Sequence, residues 1–293
     1  KRIYLKRLQE TSGNFRVYLK IRPLMNDKSK SCLEYQAPDR ILVKLKKDYS
    51  EFNNIPSHFS KSFTFNHIFK QNASLDSIYS EISGLIPLCL SGYNVCMLSY
   101  GMTGTGKTQT IIGQYDTQGL VSFAFTDVIK SVEADCFREF ELKLSFVEIF
   151  KDKFYCCLSQ KHLDFHDAVY GIILKGQEER KVTKIQEMHE LLRTATSLRH
   201  KGRTAYNDEA SMSHFFVILK ITSTSMHYKS KSSGVLMFAD IAGFEKATFD
   251  KPKWHIPMPQ TNFIHKSLVS LSLVIESIRK GNKSVPYRMS KLT

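Results

Sequence analysis

The sequence has no two cysteines spaced as CxxC, no internal repeat, no low-complexity stretch, and no apolar run near the ~20 residues that would cross a bilayer. Each absence closes a class. Without paired spacing, Cys32, Cys89, Cys96, Cys136, Cys156 and Cys157 build neither a zinc cluster nor a disulfide framework. Several lie inside apolar runs, so they are expected to be reduced and buried, as in an intracellular protein. Lys1-Arg2-Ile3-Tyr4 has no signal-peptide apolar core behind it, so the chain is expected to be soluble. Acidic residues are also in short supply. The 28 Asp and Glu stand against 42 Lys and Arg, and the net charge of +14 calls for a large polyanionic partner: nucleic acid, an anionic membrane or an acidic protein polymer. Residues 246–293 hold nine Lys or Arg against two acids, so half of that excess sits on the last stretch, and one face is expected to be basic.

What is present begins with Gly101-Met102-Thr103-Gly104-Thr105-Gly106-Lys107-Thr108, which fits the phosphate-loop pattern GxxxxGK[ST] at every specified position. Glycines let successive backbone N–H groups turn inward around a phosphate, and the helix that follows presents its N-terminus to the same anion. Lys107 would reach the β- and γ-phosphates as a point charge, and the Thr108 hydroxyl would take one position on a magnesium ion. The apolar run Tyr93–Tyr100 leads in as a buried parallel strand would.

A hydrophobic content of 42% is ample for the core of one large α/β domain or two small ones. Tyr4, Leu5 and Leu8 share a helical face in residues 1–12, which would be the end of an amphipathic or coiled-coil helix. Phe15–Ile21 alternates as a first strand stopped by Arg22-Pro23, and residues 25–62 read as a polar peripheral lobe with short β-like runs such as Ile41–Val43. A short strand and turn follow at Phe63–Phe69. Leu75–Leu90, Leu120–Val132 and Ile185–Leu198 have helical spacing, while Phe140–Phe150, Phe215–Ile221 and Val235–Ala239 read as strands, the last two joined by a basic loop over 223–233. The second of that pair delivers Asp240 at its carboxyl end, followed by Ile241-Ala242-Gly243. Such an Asp beside a phosphate loop holds magnesium, and the Gly lets a backbone N–H reach the γ-phosphate.

At this point the chain resembles a kinesin motor domain over nearly its whole length. The segments Gly92–Thr108, Ser145-Phe146-Val147-Glu148-Ile149-Phe150, Asn207–His214, Asp240–Glu245 and Val285–Thr293 match kinesin signatures in order and spacing. The start at Gly13–Tyr18 is similar to motors carried C-terminally after a coiled-coil neck, typically minus-end directed. The resemblance implies an α/β fold, a phosphate-loop NTPase-like three-layer sandwich with a mostly β central sheet flanked by helices. It implies ATP or ADP with Mg2+ as cofactors, microtubules as partner and the cytoskeleton of the cytoplasm, with the spindle as one location. By the same resemblance Lys20, Arg22 and Pro23 border the adenine, with Lys20 where the family has Arg. Gly101, Thr103, Gly104, Thr105, Gly106, Lys107, Thr108 and Asn207 bind the nucleotide, while Thr108, Ser211 and Asp240 serve the metal. Ser211, Gly243 and Glu245 serve hydrolysis.

The departures from the pattern fall in the two switches. Ala210 replaces a serine, and Met212 replaces the arginine that in the family pairs with the glutamate matched by Glu245 and closes the site. Phe244 replaces a small serine. Phosphoryl transfer rests on positioning and electrostatic stabilisation, so losing that gate is expected to slow hydrolysis while leaving binding largely intact.

Residues 264–279 place Ile264, Leu268, Leu271, Ile275 and Ile278 in one stripe, a core-packing helix with a solvated opposite face. The resemblance makes it the tubulin-contacting helix, with Lys266 on the family's lysine and His265 where asparagine is usual. Arg279, Lys280, Lys283, Tyr287, Arg288 and Lys291 would meet acidic tubulin, an attraction that weakens as salt rises. Pro252, Pro257 and Pro259 are expected to stop the helix short of Gln260, which loosens coupling between nucleotide and filament. The alternatives are an active divergent motor, a nucleotide-independent tether that is the passive partner of an active motor through a coiled coil, or a binder of nucleic acid or a membrane surface. The last is disfavoured because aromatics are not interleaved with the basic clusters and no basic amphipathic helix stands alone. Kinesin motors continue past the match to Leu292-Thr293 with a helix, a sheet strand and a final helix, so residues 13–293 are expected to be a motor domain without those elements.

Overall fold

In residues 1–81, one of two units into which the chain divides, short β-branched and aromatic runs pair locally. Strand β1 (Tyr18–Lys20) lies parallel to β5 (His67–Phe69), while β2 (Leu33–Ala37), β3 (Arg40–Leu45) and β4 (Phe59–Thr64) form an antiparallel meander. Ile21, Ile41 and Ile68 close a small core with Leu19, Leu33 and Phe65. The first strand is only three residues long, shorter than its apolar alternation predicts, and the polar lobe is this three-stranded sheet. The computed structural model describes residues 13–23, 31–45, 59–114, 117–168, 171–204, 207–211, 213–244 and 258–293. The expected neck helix at 1–12 lies outside them.

The helical run at 75–90 is broken into α1 (Leu75–Ile82), a 3-10 turn (Ser83–Leu85) and α2 (Ile86–Leu90). Gly84 weakens the helix at that point. Pro87 has no N–H to give a preceding turn, so it sits where a new helix starts.

Residues 82–293 are built on an eight-stranded sheet. Its strands are β6 (Asn94–Ser99), β9 (Arg138–Phe150), β10 (Lys153–Cys156), β11 (His162–Ala168), β12 (Gly171–Lys175), β13 (Arg180–Val182), β16 (His214–Ser225) and β17 (Lys231–Asp240), in the order β12-β11-β10-β9-β16-β17-β6 with β13 beside β9. Phe215, Val217, Leu219 and Ile221 of β16 are fully buried on one face, with Leu144 and Phe146 of β9. On the other face Ala239, Ile241 and Leu268 cluster with Phe216, Ile264, Phe244 and Leu292. Helices α3 (Lys107–Ile111), α4 (Leu120–Glu133), α5 (Ile185–Ser197) and α6 (Met258–Arg279) flank the sheet, and β7 (Gly113–Gln114) pairs with β8 (Thr117–Gln118), as β14 (Lys201–Thr204) does with β15 (Asn207–Ser211). The result is the expected mixed β sheet flanked by helices.

Three expectations need correction. Strand β6 does pair in parallel with β17, but it is not buried: it has one sheet neighbour among the described residues, and Asn94, Cys96 and Leu98 point outward and are exposed. Cys89, Cys156 and Cys157 are buried, whereas Cys96, Cys32 just before β2 and Cys136 in the turn before β9 are exposed. The loop expected over 223–233 shrinks to 226–230, because polar pairs such as Thr224 with Lys231 continue the antiparallel ladder. None of the described helices is long and apolar enough to cross a membrane.

Candidate nucleotide site and basic face

The phosphate loop takes the shape its glycines allow. Gly101, Gly104 and Gly106 have φ of 154°, 79° and 87°, values that side-chain-bearing residues rarely adopt. A Cβ on Gly101 would also sit 3.0 Å from Thr105 Oγ1. Helix α3 starts at Lys107 directly after left-handed Gly106. Across the loop, Lys107 Nζ and Thr105 Oγ1 both donate to the Met102 carbonyl, at 2.9 and 2.7 Å.

Parallel pairing of β6 and β17 sets Ser99 opposite Asp240 at the carboxyl ends of both strands. Asp240 is wholly buried and fully engaged. Its Oδ2 accepts from Thr108 Oγ1 at 2.6 Å and Arg199 Nη1 at 2.5 Å, and its Oδ1 accepts from Ser99 Oγ at 3.2 Å. Arg199, itself buried, comes from the residues just after α5 and also donates from Nη2 to the Ser213 carbonyl at 2.7 Å. Nothing in the sequence reading singled it out, since an Arg two residues past a helix end reads as a solvated cap. Among the described residues no cluster of three or more His, Cys, Asp or Glu is placed to hold a metal. Thr108 and Asp240 instead offer hard oxygen donors beside a phosphate cradle, the donor set of a magnesium ion that completes its shell with phosphate oxygens and water.

After Asp240 the chain turns back onto the loop. The Phe244 N–H donates to the Gly101 carbonyl at 3.1 Å. Its ring lies near Tyr100 (centroids 6.3 Å) and stacks on His265 of α6 (5.8 Å, 20°). Phe244 and His265 were both departures from the kinesin pattern, and they touch each other. His214 seats the same turn: its Nδ1 accepts from Ala242 N–H at 3.2 Å, and its Nε2 lies 2.8 Å from Ser267 Oγ, which donates to Ile264 O. Burial, with the Arg199 charge adding to it and Asp240 opposing, pulls His214 down from 6.5 to about 3, so the ring is neutral with its proton on Nε2.

Of the remaining expected site residues, Lys20, Arg22 and Pro23 lie in the first unit, where burial lowers the Lys20 pKa. Asn207 and Ser211 stand on β15, whose backbone alone is described, like that of Ala210 beside Ser211. Gly243 lies in the turn itself. Met212, Glu245, Pro252 and Pro257 fall outside the described residues. Helix α6 starts at Met258 with Pro259 in its first turn, so the chain becomes helical two residues ahead of Gln260.

Elsewhere, basic residues on α6 and just past it meet the β9–β10 turn and a hairpin the sequence pattern did not identify, β11–β12. Arg288 pairs with Asp167 at 2.7 Å, Lys266 lies 3.9 Å from Asp152, and Lys291 Nζ stands 3.5 Å from the Phe165 ring while its backbone N–H donates to Asp152. Lys280 pairs with Glu276 one turn back, and Arg279, Lys283 and Tyr287 are exposed. On the inward line of α6, Leu268 of the expected stripe is buried together with Ser267, Ser270 and Val274, while Ile264, Leu271 and Ile275 are half-buried. Ile278 is exposed, and the outer face carries Phe263, Val269 and Leu273 rather than polar residues alone.

The kinesin motor-domain family model matches residues 20–293. A kinesin-like protein KIN-14G of Oryza sativa subsp. japonica is 31% identical over 98% of this chain and 40% of its own length. Carboxy-terminal kinesin 2 of Xenopus laevis is 30% identical over 98% of this chain and 47% of its own. The chain thus spans less than half the length of these relatives. Among solved structures, a fast kinesin superposes with a TM-score of 0.82 at 27% identity, covering 95% of this chain and 79% of that one. The C-terminal motor and motor homology domain of Kar3Vik1 superposes at 0.84 with 23% identity, covering 99% of this chain and 77% of that one, a likeness of fold. The phosphate loop, the Asp240 strand end and the match along residues 20–293 agree: the chain belongs to the kinesin motor-domain family.

Proposed function

We propose that this chain is a microtubule-binding motor domain of the C-terminal-motor type that holds ATP or ADP with Mg2+ and hydrolyses it slowly, working in the cytoplasm on the cytoskeleton. Retention is supported by the left-handed glycines of 101–106, with Lys107 for the β- and γ-phosphates and Thr108, Ser211 and Asp240 for the metal. Bound magnesium would neutralise phosphate charge, while the residues of the chain position the nucleotide.

The observation that carries slow turnover is the seat of Phe244. Hydrolysis in this family requires the second switch to close and reopen over the γ-phosphate, and here its turn is fastened to the loop by the bond to Gly101 O and by rings on either side, Tyr100 and His265. An aromatic pair contributes about 0.5–1.5 kcal/mol beyond burial and a hydrogen bond about 1. Together these reach roughly the 1–3 kcal/mol by which allosteric sites are usually coupled, enough to mask the influence of nucleotide on α6. The sequence adds a second cause, Met212 where the partner of Glu245 is expected.

Filament binding draws on Lys266, Arg279, Lys280, Lys283, Tyr287, Arg288 and Lys291. Several of these already have internal acidic partners, so Arg279 and Lys283 are the more available charges. Residues 1–12 would supply a coiled-coil partner contact. Co-sedimentation with microtubules in ADP and in a non-hydrolysable ATP analogue tests the reading. Affinities within about threefold of each other fit a coupling masked by ~1 kcal/mol or more; a difference of two decades rejects it.

A further inference from the structure

The segment Ser145–Phe150 matched its family without acquiring any role, and its one charged residue, Glu148, is wholly buried in the middle of the sheet. A buried carboxylate is costly unless it is paired and hydrogen-bonded, so its partners show what it is for. Glu148 Oε1 accepts from the backbone N–H of His200 at 2.9 Å and from the Ser213 hydroxyl, and Oε2 lies 2.6 Å from His200 Nδ1. His200 immediately precedes β14 and Ser213 follows two residues after β15. One carboxylate therefore grips both ends of the β14–β15 pair.

The grip continues to the nucleotide site. Ser213 Oγ, which donates to Glu148, accepts from Arg199 Nε at 3.3 Å, and the other end of that guanidinium stands on Asp240. The His200 ring is held flat against Phe150, two residues along the same strand, with centroids 4.3 Å apart and planes at 12°. We infer that Glu148 is a positioning residue: it closes the base of the hairpin that carries Asn207 and Ser211, and through Ser213 it aims Arg199 at Asp240. The second half rests on the nucleotide-site reading; the first does not.

His200 is the partner to remove, because its side chain is 37% exposed and its loss does not open the core. In His200→Ala, deuterium uptake by the amides of 201–211 is expected to rise about tenfold, the scale of one charge-assisted hydrogen bond, and in Ser213→Ala about threefold. Peptides from β16 and β17 serve as the control for global opening. Glu148→Gln keeps an oxygen for His200 N–H and Ser213 and can donate to Nδ1, so protection is expected to return to within about twofold of wild type. Release of fluorescent ADP with Mg2+ should be about fivefold faster in Ser213→Ala, following the loss of aim at Asp240. Unchanged uptake across 201–211 in both alanine variants overturns the clamp. Faster uptake with unchanged ADP release overturns the link to Asp240. A wild-type chain that binds no ADP refutes the nucleotide reading, and faster uptake in the variants would then still establish the clamp.

Discussion

The phosphate loop and the turn after Asp240 lie one hydrogen bond apart, Phe244 N–H to Gly101 O, and they differ in kind. The loop takes its shape from its own chain: three glycines in left-handed or extended-positive φ, a helix start at Lys107, and hydrogen bonds of Thr105, Lys107 and Thr110 to carbonyls within residues 101–110, with Gly101 and Thr108 reaching out to Phe244 and Asp240. The turn is held from outside, by His214 under Ala242, by Tyr100 and His265 on the Phe244 ring, and by α6 beneath Ile241. A locally determined element keeps its function when the surroundings diverge. An element positioned by its neighbours changes function when one neighbour does, and two departures from the family pattern, Phe244 and His265, are on that side.

The difference is broken most severely at Lys107. In Lys107→Ala the loop loses its charge toward phosphate, and fluorescent ATP should bind at least about a hundredfold more weakly in a titration, the upper range for a charge-assisted contact. Filament binding should change far less, because the basic residues of that face meet Asp152, Asp167, Phe165 and Glu276 rather than lean on the Lys107 charge.

Acid probes the turn. The His214 pKa is depressed from 6.5 to about 3, so its stabilising contribution is complete above pH 6.5 and is lost as pH falls from there toward about 3, the window in which only the unfolded chain takes up the proton. Urea melts between about pH 6.5 and 4.5 should lose ~1.4 kcal/mol per unit from this group, a slope that His214→Gln removes.

The smallest effect sharpens the picture most. In a double-mutant cycle of Phe244→Ser and His265→Asn, the ring pair should show a coupling of about 0.5–1.5 kcal/mol in thermal melts. Additive effects would mean that the stack does not tie the turn to α6.

The sequence revealed the loop because glycine conformations and a helix start are local, and it revealed β9, β16 and β17 because their apolar alternation is long. It did not reveal what depends on neighbours. β6 has the apolar content of a central strand, yet among the described residues it has a partner on one side only, so its outward Cys96 and Leu98 are exposed. The hairpin β11–β12 was missed because Leu163 and Phe165 alternate with His, Asp and His in a run too short to stand out. Glu148 stood inside a recognised motif with no role, and Arg199 carried no signal at all, since both acquire their partners only when β9, β17 and the end of α5 come together.

The separation of binding from turnover is the central claim, and steady-state ATPase with saturating microtubules, run on the wild-type chain and on Met212→Arg, addresses it directly. The expected result is wild-type turnover below the ~1 s⁻¹ floor of ordinary enzymes despite measurable nucleotide binding, and a rise of at least about tenfold when Glu245 regains an arginine partner. Wild-type turnover of tens per second, unchanged by Met212→Arg, would contradict it.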